Sequence, residues 1–206
     1  MLRWAVYLGL AAVALAVGGA LVATVRASQG CALALAFLLG CAIVAVPAYW
    51  LYLARAVPPI HDISTDLDEP PAFVAVVPLR ADAPNPVAHG GAAVADAQRR
   101  AYPDVAPLRV AAPPGEAFAW ALEAAAAMGW DIVAHDAAAG RIEATDTTFW
   151  FGSRDDIAVR VRADAAGSRI DVRSKSRVGR SDVGTNAKRI RAYLERVAAV
   201  AGAARS

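Results

Sequence analysis

Two uninterrupted apolar runs open the chain. Residues 4–25 and 31–54 carry no charged side chain over 22 and 24 positions. At ~1.5 Å per residue each run can cross a hydrocarbon core of about 30 Å, so the pattern predicts two transmembrane helices. The link Arg26-Ala27-Ser28-Gln29-Gly30 has room only for a tight turn, which makes the pair a hairpin. Trp4 and Tyr7, together with Tyr49, Trp50 and Tyr52, gather at the end away from that turn, as interfacial aromatics do. No Ala-x-Ala site with a polar stretch follows the first run, so it reads as a helix rather than a cleaved leader.

After residue 56 the pattern breaks. Residues 57–72 are rich in proline and acid, and read as an extended tether with His61-Asp62 in a solvated turn. A short extended piece over 73–79 and a Pro/Asn/Gly loop follow, then a short helix over 91–100. Residues 108–110 suggest a strand. Residues 115–128 form a helix with Phe118, Leu122 and Ala125 on one stripe, stopped by Gly129. Alternation then predicts strands over 130–136, 141–148, 156–163 and 168–176, with hairpin links that end in Gly140 and Gly167. A last helix spans 182–202, its buried stripe made of Ile190, Tyr193, Leu194 and Val197. This order implies an α+β fold: a two-layer domain with an antiparallel sheet of about four to five strands and two helices on one face. The organisation is an anchor over 1–56, a tether over 57–72 and a domain over 73–206.

Composition sharpens the division. The 206 residues are 57% hydrophobic and 19% charged, which excludes a disordered chain or a disulfide scaffold. Residues 1–58 hold Arg3, Arg26 and Arg55 and no acid. Residues 59–153 carry 13 acids against 5 bases, and residues 154–206 carry 13 bases against 6 acids. The polar part is thus close to neutral, which argues against a nucleic-acid partner. Cys31 and Cys41 lie ten positions apart on the second run and do not share a helix face, so neither a disulfide nor a metal pair is expected.

The chemistry concentrates late in the chain. Period-two sorting turns Ile157, Val159, Val161, Ile170 and Val172 toward the helices. Arg160, Arg162, Arg169, Asp171, Arg173, Lys175 and Arg177 turn the other way, with Arg160 opposite Asp171. That basic face is either a solvated outer surface or a docking face for an anionic ligand, and Arg160, Arg162, Arg173, Lys175 and Arg177 are its candidate residues. In the stretch 177–186, Ser181 or Asp182 caps the last helix. Its N-terminal N–H groups, with Arg177, Arg180 and Asn186 beside them, form a candidate anion site. Phe149-Trp150-Phe151 cannot all enter one core, so this stretch is either a candidate binding lip at Trp150 or a bend between strands with its aromatics folded under. Asp155 and Asp156 point to opposite faces of a strand and do not form a shared catalytic pair. His61, His89 and His135 have no metal-ligand spacing, and neither a phosphate loop nor a nucleophile elbow is present. No metal and no cofactor are expected.

The rhythm around 120–145 is similar to helix-grip modules of envelope lipoproteins, which allows an apolar-ligand groove between sheet and helices. Pro58-Pro59-Ile60-His61-Asp62-Ile63-Ser64-Thr65-Asp66, Tyr102-Pro103-Asp104, Gly129-Trp130, Asp155 to Arg162, and above all Asp171 to Asn186 with Arg189-Ile190-Arg191 carry a closer likeness. Over about residues 2–200 the chain resembles a bacterial family labelled domain of unknown function 1499 (DUF1499). The resemblance supplies no activity. It implies an inner-membrane protein with the Arg26 loop in the cytoplasm and the domain in the periplasm. Charge counting over Arg3, Arg26 and Arg55 alone points the other way, favouring both ends, and so the domain, in the cytoplasm by one or two charges. The expected function is a membrane-anchored binding or scaffolding module for an anionic ligand, a lipid headgroup or an envelope protein. The alternative is an envelope hydrolase or transferase using Asp155, Arg177, Ser181, Asp182 and Asn186.

Overall fold

Apolar residues make the first helix and alternation makes the sheet. The computed structural model describes residue 11 and residues 13–15, 27–148 and 152–204, in two units, Met1–Val57 and Pro58–Ser206. In the first unit Ala27–Ala56 form helix α1, and Ala34–Tyr52 within it is long and apolar enough to cross a membrane. The expected turn at residues 26–30 is corrected in part, because Ala27–Gly30 already belong to α1. The first expected span lies outside the described residues, except for residues 11 and 13–15, which are helical.

The second unit contains β1 (Asp62–Ser64), a 3-10 turn (Pro78–Arg80), α2 (Gly91–Ala101), β2 (Leu108–Val110) and α3 (Pro114–Ala127). It continues with β3 (Asp131–Asp136), β4 (Arg141–Thr147), β5 (Arg154–Asp164), β6 (Gly167–Ser176) and α4 (Thr185–Ala203). One antiparallel sheet runs β1-β6-β5-β4-β3, with β2 beside the other end of β6. Arg160 does stand opposite Asp171. The inner face presents Ile157, Val159, Val161, Ile170 and Val172 to α3 and α4, as alternation requires. Trp120, Trp130, Ile190 and Tyr193 fill the interlayer, and Tyr193 donates its hydroxyl to the carbonyl of Ala121 at 2.8 Å. The expected apolar-ligand groove is therefore occupied by the protein's own side chains.

Two expectations fail between residues 57 and 90. The solvated tether ends at Pro59: Ile60 and Ile63 join the core, and Asp62–Ser64 pairs with Ser174 and its neighbours on β6. Asp62 is drawn in because the sheet offers it two cations. Residues 73–79 are not extended. The N–H groups of Val74, Ala75 and Val76 converge on the Glu143 carboxylate at 2.9–3.1 Å, which bends the chain into a turn before Pro78. The edge at β1 is closed by Gln98 of α2, whose amide bonds both the N–H and the C=O of Ser64.

Candidate functional site

The outer face of β5 and β6 is as basic as its sequence says, and it is covered. Residues 60–90 form a strap across it, and acid from the strap meets base from the sheet. Asp66 takes Arg169 at 2.8 Å and Arg160 at 3.0 Å, while Glu69 takes Arg162 at 2.7 Å. Burial alone would raise the Asp66 carboxyl. The backbone N–H groups of Glu69 and Asp68 and the charges of Arg169 and Arg160 outweigh it and hold Asp66 below the usual carboxylate range.

Further along the strap, Asp62 receives Arg173 Nε and Nη2 at 2.9 Å and Lys175 Nζ at 2.8 Å. All three groups are buried. Burial pushes the Asp62 carboxyl up, but Arg173 and Lys175 hold it below its ordinary value. Lys175 is itself drawn below the usual ammonium range by burial, with Asp62 opposing. Asp156, fully buried, joins Arg80 of the strap to Arg177 and also accepts from Thr145 Oγ1 at 2.8 Å. Carbonyls of Pro71, Val87, Ala88 and Leu79 take further guanidinium and ammonium protons, so the buried cations are solvated by the strap's backbone. The expected open docking face at Arg160, Arg162, Arg173, Lys175 and Arg177 is thus corrected: this chain already occupies it, leaving only Arg162 substantially exposed at 39%.

A second polar cluster sits on the inner face, where α4 begins. Asn186 accepts from Ser174 Oγ at 2.7 Å and from Arg189, and donates to Ser176 Oγ and to the carbonyl of His61 at 3.1 Å. Arg189 reaches Asp155 and Asp146, each at 2.7 Å. Asp155, Asn186 and Arg189 are buried, and the cluster ties α4 to β4, β5 and β6. The sheet separates this cluster from the Arg177 guanidinium, so the five groups expected in one enzymatic cleft are not gathered.

The candidate anion site at the start of α4 is filled from within. Asp182 Oδ1 accepts the N–H of Gly184 and Oδ2 accepts the N–H of Asn186, both at 2.8 Å, while Ser181 Oγ takes the N–H of Val183 at 3.2 Å. Burial, with the nearby Asp155 charge, lifts the Asp182 carboxyl above its ordinary value, although these N–H groups oppose the shift.

What stays open is an end of the outer face. A cleft of about 530 Å³ is lined by Leu79, Asp82, Ser153, Arg154, Arg177 and Val178, among others. Arg154 on this cleft and Arg180 just beyond it are exposed, and neither guanidinium meets a carboxylate among the described residues. Trp150, the candidate lip, lies outside the described residues. Also among the described residues, no group of three or more His, Cys, Asp or Glu could hold a metal ion. Sequence reasoning missed Arg80, Glu143 and Arg189, as well as the carboxylates Asp62 and Asp66 that neutralise the sheet. The opposed charges of residues 59–153 and 154–206 were the available signal.

A family model described as "Protein of unknown function (DUF1499)" matches residues 62–197. No curated protein matches the chain.

Proposed function

This chain belongs to the DUF1499 family, and we propose that it is a membrane-anchored binding module that takes an anionic group beside Arg154 and Arg180. One observation carries the reading. Of the eight cations on β5, β6 and the turn to residue 180, six are paired with carboxylates of the chain, and Arg154 and Arg180 are exposed without one among the described residues. Arg154 lines the cleft and Arg180 follows its Val178 by two residues, and guanidinium groups that meet no carboxylate among the described residues suit a phosphate, a carboxylate or a lipid headgroup. The anchor is the hairpin of the 4–25 run and α1. Its support is the exposure of Leu35, Leu38, Leu39, Ile43 and Val46 along α1, surface that water would disfavour and lipid would not. In this reading the domain lies on the periplasmic side of a bacterial inner membrane, a side suggested by the family resemblance of the sequence.

The test has two arms. Alkaline phosphatase fused to the carboxyl end is expected to be active, and a fluorescent protein at the same place dark; the reverse result overturns the periplasmic assignment. The full chain, purified in mild detergent, is expected to carry a bound anion in its native mass spectrum. Arg154→Glu with Arg180→Glu should remove that mass without lowering thermal stability. An unchanged spectrum overturns the binding reading.

A further inference from the structure

Two of the exposed large hydrophobics described in the domain, Leu79 and Val178, line the same cleft, and Val77 and Pro78 lead into it along the chain. Val74, Val77 and Leu79 are 51%, 38% and 52% exposed on the strap, and Val178 is 46% exposed across the cleft from Leu79. Val77-Pro78-Leu79 is a run of three consecutive exposed apolar residues. A soluble surface has no use for such a run unless something covers it. Arg154 shares the cleft rim with Leu79 and Val178, and Arg180 follows Val178 by two residues. The cleft rim therefore combines aliphatic side chains with guanidinium groups that meet no carboxylate among the described residues, the composition of a surface that rests in a bilayer interface. One carboxylate, Asp82, also lines the cleft.

The place of the patch names its occupant. The turn that carries Val178 and Arg180 touches the residues where the chain comes in from α1: the carbonyl of Ile60 accepts the N–H of Asp182 at 3.2 Å, and His61 Nδ1 lies 3.5 Å from the carbonyl of Arg180. From Ala56, the end of α1, to Ile60 the chain spans at most ~14 Å. We propose that Val77, Pro78, Leu79 and Val178, flanked by Arg154 and Arg180, dock this domain onto the anionic surface of the membrane that holds α1. This inference rests on the anchored reading above and makes the anionic group of that reading a lipid headgroup. A phosphate in solution would need the arginines but not the exposed aliphatic run.

The experiment uses the full chain with Cys31→Ser and Cys41→Ser, labelled at Val178→Cys, in nanodiscs at one copy per disc. The control label is at Ala165→Cys, at the far tip of the β5–β6 hairpin, ~33 Å along β5 from Arg154. Lipid-borne quenchers are expected to quench the label at 178, and not at 165, in discs containing anionic lipid. The docked fraction should fall roughly tenfold with Arg154→Glu plus Arg180→Glu, and should weaken in high salt. Val77→Ser with Leu79→Ser should also reduce it. A label at 178 no more quenched than at 165 overturns the docking while leaving the anchor intact. Failure to incorporate into discs overturns the anchor itself. Quenching that inorganic phosphate abolishes, but that ignores the two serine substitutions, assigns the arginines to a soluble anion and overturns the proposal. Shielding at 178 that grows with copies per disc assigns the patch to a second chain, with the same consequence.

Discussion

Asp155 and Asp156 are adjacent on β5 and hold opposite layers of the domain. Asp155 points inward to Arg189 of α4, and Asp156 points outward to Arg80 of the strap and to Arg177. The two-residue period of a strand makes two adjacent carboxylates into fasteners for two separate elements. Their loss should therefore loosen different parts of the molecule. Asp156→Asn is expected to speed hydrogen exchange over residues 74–85, and Asp155→Asn over the first turns of α4. Asp156→Asn leaves the buried Arg80 and Arg177 without their shared carboxylate, at a cost of about 3–5 kcal/mol, while Asp155→Asn leaves Arg189 with Asp146 and costs less. A uniform increase in exchange from both substitutions would contradict this division.

Asp62 makes the strap sensitive to acid. Its carboxyl is held below 3.8 in the fold by Arg173 and Lys175, against the upward push of burial. A carboxyl depressed on folding contributes stability that is complete above its unfolded value and is lost as pH falls through its folded value. Denaturant unfolding of the full chain in detergent should thus show a stability loss below about pH 4. Asp62→Asn should be less stable than the native chain at pH 7, by about 3–5 kcal/mol, with the difference shrinking in acid. Equal pH profiles for the two proteins would remove Asp62 as the source.

Asp182 works with the opposite sign. Burial raises its carboxyl above 3.8, so its contribution is complete below the unfolded value and declines as pH rises through the folded one. Asp182→Asn surrenders one of the two backbone hydrogen bonds, worth roughly 1 kcal/mol, and also relieves the buried charge. Asp182→Ala surrenders both, for about 1–2 kcal/mol. The gap between the native chain and Asp182→Asn should narrow between pH 4 and pH 7. A gap that widens over that range would place the carboxyl at or below its ordinary value.

The strands, α3, α4 and the inward and outward sides of β5 and β6 were legible because local alternation and glycine stops encode them. Gly140 and Gly167 end their links where expected, and Ile157 to Val161 face the helices. The strap was not legible, because its conformation is set by partners far away in sequence. Nothing near Asp62 announces that Arg173, 111 positions later, will bury it. Nothing in Val74-Ala75-Val76 announces Glu143, so an apolar run there reads as a strand when it is a turn. The same blindness made the basic face look vacant. Residue type placed its arginines, but only the fold shows that most of them are already paired.

Gly167 tests the remaining edge of the sheet. It closes the β5–β6 hairpin at φ +139°, a conformation that side chains with a Cβ rarely adopt. A Cβ there would also lie 2.3 Å from the carbonyl oxygen of Val110 and 2.8 Å from the N–H nitrogen of Ala112. Both are backbone atoms, so relief requires β2 to move off β6, breaking the Val110–Ser168 pairing and the 2.7 Å bond from Ser168 Oγ to the carbonyl of Ala112. Backbone strain alone costs about 1–3 kcal/mol. Gly167→Ala is therefore expected to lower the unfolding free energy by at least that amount and to speed exchange across Leu108–Val110. Ala166→Ser, one position earlier and exposed, should change neither. If Gly167→Ala matches the native chain in both measurements, β2 does not rest on that turn.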